Sequence, residues 1–283
     1  MSRRWACILG QPVRYSLSPR LHNAAFAAAG IDARYEPREV SPAELASAVQ
    51  ALRAPDCLGA NVTAPHKAAA CQLMDEISDE ARPLGVINTI VPRAGVLLGD
   101  NTDAGGLAEW LCSAQVDCQG REGVILGAGG AARATVLALA RLGARGARVL
   151  NRTPERARAL VADLQPVVPD VRLSWGELQE AARPRAEPVA LLVNATSLGH
   201  HGSAPAVDAS WYSPQSVAIE LVYNPPETGF LRAARAAGAR AENGLGMLVH
   251  QAALAFERWT GQPAPLDVYW AAARNPLPER ERR

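Results

Sequence analysis

The chain has 283 residues, of which 48% are apolar and 20% charged, and its formal net charge is +1. This length can hold two ordinary domains, and the apolar content excludes a disordered chain. Basic residues form no stripe and are not interleaved with aromatic residues, so nucleic acid is not an expected partner.

Short apolar runs alternate with helical segments in the first hundred residues. Three strands are predicted, at 6–9, 34–39 and 57–62. The runs 85–91 and 96–99 predict a β-hairpin. Because strands that alternate with helices indicate an α/β domain with a largely parallel sheet, we predict such a domain over residues 1–103.

Two helices of this first domain have recognisable ends. Ser18 is predicted as an N-cap with Pro19 at the first helical position, and Gly30 as the end of that helix. Ser41 and Glu44 have the spacing of a capping box, which predicts a helix that continues to about residue 53.

A glycine-rich turn follows the apolar run 124–126 and precedes a helix predicted over 131–142. A strand at 147–151 completes a βαβ unit, which is the context in which such a turn binds a dinucleotide pyrophosphate. The helix N-terminus presents free N–H groups to the anion. The residues predicted to contact the cofactor here are Gly127, Ala128, Gly129, Gly130 and Ala131.

The end of the next strand indicates which dinucleotide binds. Asn151, Arg152 and Thr153 carry no carboxylate, whereas NAD-preferring sites have an acidic residue near this point. Guanidinium groups bind a phosphate through paired hydrogen bonds, so Arg152 and Arg156 predict NADP(H) as the cofactor. Thr153 also has the position of an N-cap, a role compatible with cofactor binding.

The same alternation continues to the C-terminus. Further strands are predicted at 171–174, 189–194 and 217–222, and a long helix at 246–260. We therefore predict a Rossmann-type domain from residue 104 onward. The polar tail 275–283 is expected to fray.

The cysteine content argues against a metal site and against secretion. Five cysteines form neither a CxxC pair nor a spacing typical of metal ligands. An odd number of cysteines without a secretory segment indicates reduced thiols. No signal peptide and no long apolar span are recognisable, so a cytoplasmic protein without a membrane partner is expected.

Four polar clusters interrupt the apolar pattern of the first domain. They lie at 16–19, 61–67, 86–89 and 99–103. Polar groups that follow parallel strands face the crevice in which α/β proteins bind ligands. Their hydroxyl, amide, ammonium and carboxylate groups suit a small, polyhydroxylated, anionic substrate.

Lys67 is the single lysine of the chain, and it lies in one of these clusters. Reduction of a carbonyl leaves an alkoxide that needs a proton, which makes Lys67 and Asp103 the expected pair for proton transfer. A surface salt bridge is the alternative interpretation of this pair. We assign no catalytic role to His22, His66, His200 or His201.

Taken together, the motifs resemble those of the shikimate dehydrogenase family. The matching segments lie in the family's order at 16–19 with His22, 61–63, 65–67, 87–89, 99–103, 127–133, 151–153, 194–197 and 244–251. The resemblance implies a two-domain α/β oxidoreductase that reduces 3-dehydroshikimate to shikimate with NADPH in aromatic amino-acid biosynthesis. It implies a Rossmann-like NADP domain over 104–243 and a return of residues 244–283 to the substrate domain.

The resemblance also assigns individual roles. Lys67 and Asp103 would transfer the proton. The substrate would bind to Ser16, Ser18, Thr63, Asn88, Tyr223 and Gln251. Additional contacts to the cofactor would come from Thr196, Leu221 and Gly244.

Small departures from the family pattern leave alternatives open. Asn243 and Leu221 stand where the family often has Asp and Met. One alternative is a quinate/shikimate dehydrogenase of broader specificity. Such enzymes often use NAD, whereas Arg152 favours NADP. A non-catalytic NADP-binding regulator on the same fold is the alternative from another class. A monomer or a homodimer is expected.

Overall fold

The structure is a computed structural model that describes residues 3–199 and 202–274. His200, His201 and the tail 275–283 lie outside the described residues. The chain forms two compact units: the residues through Gly106 together with those from Val249 onward, and Leu107–Leu248. We call these the first and the second unit.

The first unit begins with alternating strands and helices. Its elements up to residue 100 are β1 (Arg4–Gly10), α1 (Ser18–Ala28), β2 (Ala33–Glu39), α2 (Leu45–Ala51), β3 (Cys57–Val62), α3 (Lys67–Cys71), β4 (Glu76–Ile77), β5 (Thr89–Arg93) and β6 (Val96–Asp100). The described strands form one sheet with the order β2-β1-β3-β5-β6-β4. β1 is parallel to β2 and β3, whereas β5 is antiparallel to β3 and β6.

The remaining elements form the second unit and complete the first. They are α4 (Asp103–Ser113), β7 (Glu122–Leu126), α5 (Gly130–Arg141), β8 (Gly146–Asn151), α6 (Pro154–Leu164), β9 (Arg172–Glu177), β10 (Leu191–Asn194), β11 (Val217–Glu220), α7 (Gly229–Ala236), β12 (Arg240–Glu242), α8 (Leu245–Thr260) and α9 (Leu266–Arg274). The chain passes between the units within α4 and again within α8. The predicted α/β fold is confirmed.

The sheet of the second unit is parallel throughout, in the order β12-β11-β10-β7-β8-β9. Leu126, Asn194 and Glu220 are the last residues of three adjacent strands and pair in register. Because parallel strands end at one edge of the sheet, the three loops that follow these residues lie side by side.

The predicted helix ends need two corrections. α1 begins at Ser18, and it is the Ser16 Oγ that accepts the Ser18 amide at 3.2 Å, so Ser18 is not the capping side chain. Glu44 accepts hydrogen bonds from the backbone amide and the hydroxyl of Ser41, but residues 42–44 form a turn and α2 begins only at Leu45. The capping contact therefore precedes the helix.

The hairpin also begins later than its apolar run predicts. Gly85 has φ +64° and ends a 3₁₀ turn (Arg82–Leu84), and β5 starts at Thr89. Asn88 therefore lies before the strand and not inside it. A glycine in the left-handed region ends a helical turn readily, which an apolar pattern does not reveal.

Two negative observations apply to the described ranges. No helix within 3–199 or 202–274 has the length and apolar character needed to cross a bilayer. Within the same ranges, no group of three or more His, Cys, Asp or Glu side chains could hold a metal ion.

Candidate active site

The first unit brings the predicted proton-transfer pair together. Lys67 is the first residue of α3 and Asp103 the first of α4, and the Lys67 Nζ lies 2.5 Å from Asp103 Oδ2. The Asp103 side chain is only 8% exposed and that of Lys67 25%. The pair is therefore not an exposed surface ion pair, since the carboxylate is buried and the ammonium group only partly reaches solvent.

Asn88 connects this pair to the rest of the cluster. Its Nδ2 donates to Asp103 Oδ1 at 2.8 Å and lies 3.3 Å from Gln251 Oε1. Its Oδ1 accepts the backbone amide of Thr102 at 2.8 Å. Because a backbone amide only donates, the Asn88 side chain has one orientation, with its NH₂ group toward the carboxylate.

Gln251 reaches the cluster from α8, far along the chain. A Cβ at Gly106 would lie 2.5 Å from the backbone nitrogen of Gln251, so only glycine allows α4 and α8 to approach this closely. This close approach brings the Gln251 amide beside Asn88.

A buried carboxylate holds the loop before Asp103 in place. Asp100 accepts hydrogen bonds from Ser78 at 2.5 Å and from Arg258 at 2.9 Å, and also from the Asn101 amide at 2.8 Å. Burial raises the pKa of the Asp100 carboxyl, but these hydrogen bonds outweigh it and leave the pKa below its usual value. Asn101 in turn accepts the Asp103 amide at 3.0 Å. Sequence reasoning missed Ser78 and Arg258, because neither lies near the motif.

Ser16, Ser18 and Thr63 follow the carboxyl ends of two neighbouring parallel strands. The two serine hydroxyls lie 3.2 Å apart, and Ser18 is buried. Thr63 donates its amide to the Leu9 carbonyl at 2.9 Å, which places the segment after β3 beside the end of β1. These residues therefore lie at the edge of the sheet where ligands bind in α/β folds.

Two histidines of this unit, His22 and His66, have packing roles. His22 is fully buried, stacks on Tyr35 with ring centroids 4.5 Å apart, and contacts the Tyr269 hydroxyl at 2.9 Å. His66 is also buried, and its Nε2 donates to the Val40 carbonyl at 2.6 Å. Neither ring contacts Lys67 or Asp103 through a described hydrogen bond.

In the second unit, the glycine turn has the geometry of a phosphate cradle. Gly127 has φ +108°, and a Cβ there would lie 2.9 Å from the Ala195 carbonyl oxygen. α5 begins at Gly130, with Gly129 as its N-cap, and nothing lies within 4 Å of a Cβ at Gly129. Ala132 is fully buried, as helix–strand packing requires of this position. The open backbone at the helix N-terminus fits a dinucleotide pyrophosphate.

The predicted 2′-phosphate residues are at the end of β8. Arg152 and Arg156 are both exposed, and neither has an ion-pair partner among residues 3–199 and 202–274. Thr153 is the N-cap of α6 as predicted, but its side chain makes no capping bond. Asn151 Nδ2 donates to the Thr153 carbonyl at 2.8 Å, which shapes the turn. Two guanidinium groups are thus available to an anion.

The remaining predicted contacts lie in the segments after β10, β11 and β12. Thr196 donates to the Asn194 Oδ1 at 2.7 Å. A Cβ at Gly244 would lie 2.1 Å from the Leu221 carbonyl oxygen, so these two residues are adjacent. Tyr223 is partly buried and belongs to this second unit. The roles of all these residues stay predictions.

The two sites define the class of protein. A dinucleotide cradle in a parallel sheet, with free cationic groups at the neighbouring strand, indicates a nucleotide-dependent oxidoreductase. A lysine–carboxylate pair among hydroxyl and amide groups can supply the proton that a carbonyl reduction needs.

Comparisons with known proteins specify the family. A family model described as shikimate dehydrogenase substrate binding domain matches residues 8–90, and one described as shikimate 5'-dehydrogenase C-terminal domain matches residues 244–274. The relative from Symbiobacterium thermophilum named shikimate dehydrogenase (NADP(+)) is 43% identical over 270 residues, 94% of this chain and 92% of its own. The chain belongs to the shikimate dehydrogenase family, as its motifs predict.

Solved structures support the same assignment. The shikimate 5-dehydrogenase from Thermus thermophilus, in complex with NADP(H) and shikimate, is 36% identical with a TM-score of 0.85, covering 96% of this chain and 98% of its own. A quinate dehydrogenase from Corynebacterium glutamicum in complex with NAD is 29% identical with a TM-score of 0.86. The match covers 95% of this chain and 98% of that dehydrogenase. The predicted NADP-dependent oxidoreductase is confirmed, and the quinate alternative is the less favoured one.

Proposed function

We propose that this protein catalyses the reversible NADPH-dependent reduction of 3-dehydroshikimate to shikimate, a step of aromatic amino-acid (chorismate) biosynthesis. The observation that carries the proposal is the buried Asp103 carboxylate, held between the Lys67 ammonium group at 2.5 Å and the Asn88 amide at 2.8 Å. Family membership supports the choice of substrate.

The chemistry divides between the two units. The residues of the second unit that would hold NADPH are those of the glycine turn together with Arg152, Arg156, Thr196, Leu221 and Gly244. The bound cofactor would supply a hydride. Addition of the hydride to the keto carbon leaves an alkoxide, and Lys67 Nζ donates its proton to that oxygen. In the reverse direction, Lys67 Nζ accepts the hydroxyl proton. Asp103 orients the ammonium group through Oδ2.

The other polar residues of the first unit bind the substrate. Thr63, Asn88 and Gln251 donate to or accept from the ring oxygens. Ser16 and Ser18 bind the carboxylate. Residues 1–103 and 244–283 form the substrate domain and 104–243 the NADP domain. The five free thiols support a cytoplasmic location.

The direct test follows the absorbance of NADPH after it is mixed with the protein and 3-dehydroshikimate. We expect NADPH to be consumed in a one-to-one ratio with shikimate, identified by chromatography. Binding of NADPH without consumption would contradict the proposal and identify a regulator.

Arg152→Ala is expected to weaken binding of NADPH about 10–100-fold and of NADH hardly at all. The exposed guanidinium group binds the 2′-phosphate, and hydrogen bonds to charged groups contribute about 1.5–3 kcal/mol. Fluorescence titration with both cofactors measures the difference. Arg158→Ala is the matched control, since Arg158 is an exposed arginine on α6, the helix that follows Arg152. Equal weakening of both cofactors would show that Arg152 has a structural role.

A further inference from the structure

A buried carboxylate of the second unit has no part in the proposed chemistry. Glu220, the last residue of β11, has no exposed surface. Among residues 3–199 and 202–274 it has no cationic partner within ion-pair distance. An unpaired buried charge is costly, so the neutral donors around it must compensate.

Three segments supply those donors. Asn194 Nδ2 contacts both carboxyl oxygens of Glu220, at 3.1 and 2.9 Å. The Val222 amide donates to Oε1 at 3.2 Å, and the Thr228 hydroxyl to Oε2 at 3.0 Å. Burial raises the pKa of the Glu220 carboxyl, and these hydrogen bonds oppose that shift. Glu220 is thus the common anchor of the loops after β10 and β11 and of the turn before α7.

Asn194 connects Glu220 to the loop beside the glycine turn. Its Oδ1 accepts the Thr196 amide at 3.1 Å and the Thr196 hydroxyl at 2.7 Å. Because an amide N–H only donates, the Asn194 oxygen must face Thr196 and its NH₂ group must face Glu220. The Ala195 carbonyl lies against Gly127, so this loop also forms one wall of the glycine turn.

Backbone hydrogen bonds also hold the loop after β11. The Leu221 amide donates to the Asn194 carbonyl at 3.0 Å, and the Gly244 amide to the Val222 carbonyl at 3.2 Å. Thr228, held by Glu220, caps α7 by accepting the Leu231 amide at 3.3 Å. Loss of the carboxylate would remove its hydrogen bonds to Asn194, Val222 and Thr228 together.

We propose that Glu220 is a positioning residue for NADP(H), which holds Thr196 and Leu221 in place by binding Asn194, Val222 and Thr228 at once. The inference rests on the proposed function, because the role of these two loops in cofactor binding is part of it. Because Glu220 has no exposed surface, it would act through these residues and not by direct contact with the cofactor.

The test compares Glu220→Ala and Glu220→Gln with Ser216→Ala. Ser216 is also buried in the second unit, where its hydroxyl donates to the Val189 carbonyl at 2.6 Å, but it precedes β11 at the opposite end of the strand. Each variant is titrated with NADPH by fluorescence, its melting temperature is measured, and KM for NADPH and kcat are determined below that temperature.

We expect Glu220→Ala to raise the Kd and KM for NADPH about tenfold, since it leaves buried donors without a partner. Glu220→Gln keeps an oxygen that can accept from Val222 and from Asn194, so a smaller rise in the Kd for NADPH is expected. If Glu220→Ala does not fold, the Kd of Glu220→Gln tests the proposal. Ser216→Ala should lower the melting temperature and leave Kd within about twofold of wild type.

Variants of Glu220 that lose stability like Ser216→Ala but bind NADPH as wild type would show a purely structural role and overturn the proposal. A wild-type protein that binds NADPH without turning over 3-dehydroshikimate would contradict the proposed function alone, because the Kd comparison remains valid.

Discussion

Lys67→Ala is expected to lower kcat for 3-dehydroshikimate reduction by about 10²–10⁴-fold, the usual contribution of a general acid. The ammonium group lies 2.5 Å from Asp103 Oδ2 and is the proposed proton donor to the developing alkoxide. The proposed cofactor residues belong to the second unit, so the Kd for NADPH should change by less than about twofold. Steady-state kinetics and fluorescence titration measure the two effects.

Arg93→Ala controls for the loss of a positive charge from the first unit. Arg93 is exposed at the end of β5 and has no ion-pair partner among the residues that the structure describes. Its substitution should leave kcat near the wild-type value. Near-normal turnover in a folded Lys67→Ala variant would contradict the assignment of the proton donor.

The second large effect is a loss of stability in acid that originates at His22. Burial lowers the pKa of this imidazole to about 3, from 6.5 for an unperturbed histidine. Between these two values the unfolded chain binds a proton at this position and the folded chain does not. The free energy of unfolding therefore falls as the pH falls through this window, by about 2 kcal/mol between pH 7 and pH 5 from this group alone.

His22→Gln removes the titration while keeping a side chain of similar size. Urea unfolding of wild type and variant at pH 7 and pH 5 gives the difference in pH dependence, in which the variant's own packing defect cancels. We expect the wild type to lose about 2 kcal/mol more than the variant on acidification. Parallel pH profiles would show that the folded protein binds a proton at His22.

Local sequence signals predict the strands and the cofactor turn well. The runs at 57–62 and 147–151 become β3 and β8, because a strand covered on both faces of a parallel sheet is mostly apolar. The two-residue β4 and the three-residue β12 were missed, since strands this short carry no periodic pattern.

The site was predicted where chemistry and motif coincide, and missed where it depends on the fold. Lys67 and Asp103 stand out as an ammonium and a carboxylate in polar clusters, and the structure pairs them. The contact of Arg258 with Asp100 spans 158 positions of the chain, which no local pattern can reveal. Glu220 did leave a signal, because it is a charged residue inside the apolar run 217–222, but its partners become visible only in the sheet register.

The proposed function requires that the protein oxidise shikimate specifically with NADP⁺. The most direct measurement is the steady-state rate of shikimate and of quinate oxidation, each with NADP⁺ and with NAD⁺, followed by the absorbance of the reduced nicotinamide. We expect fast turnover with shikimate and NADP⁺ and a much lower kcat/KM for the other three pairs. Comparable rates with quinate or with NAD⁺ would contradict it.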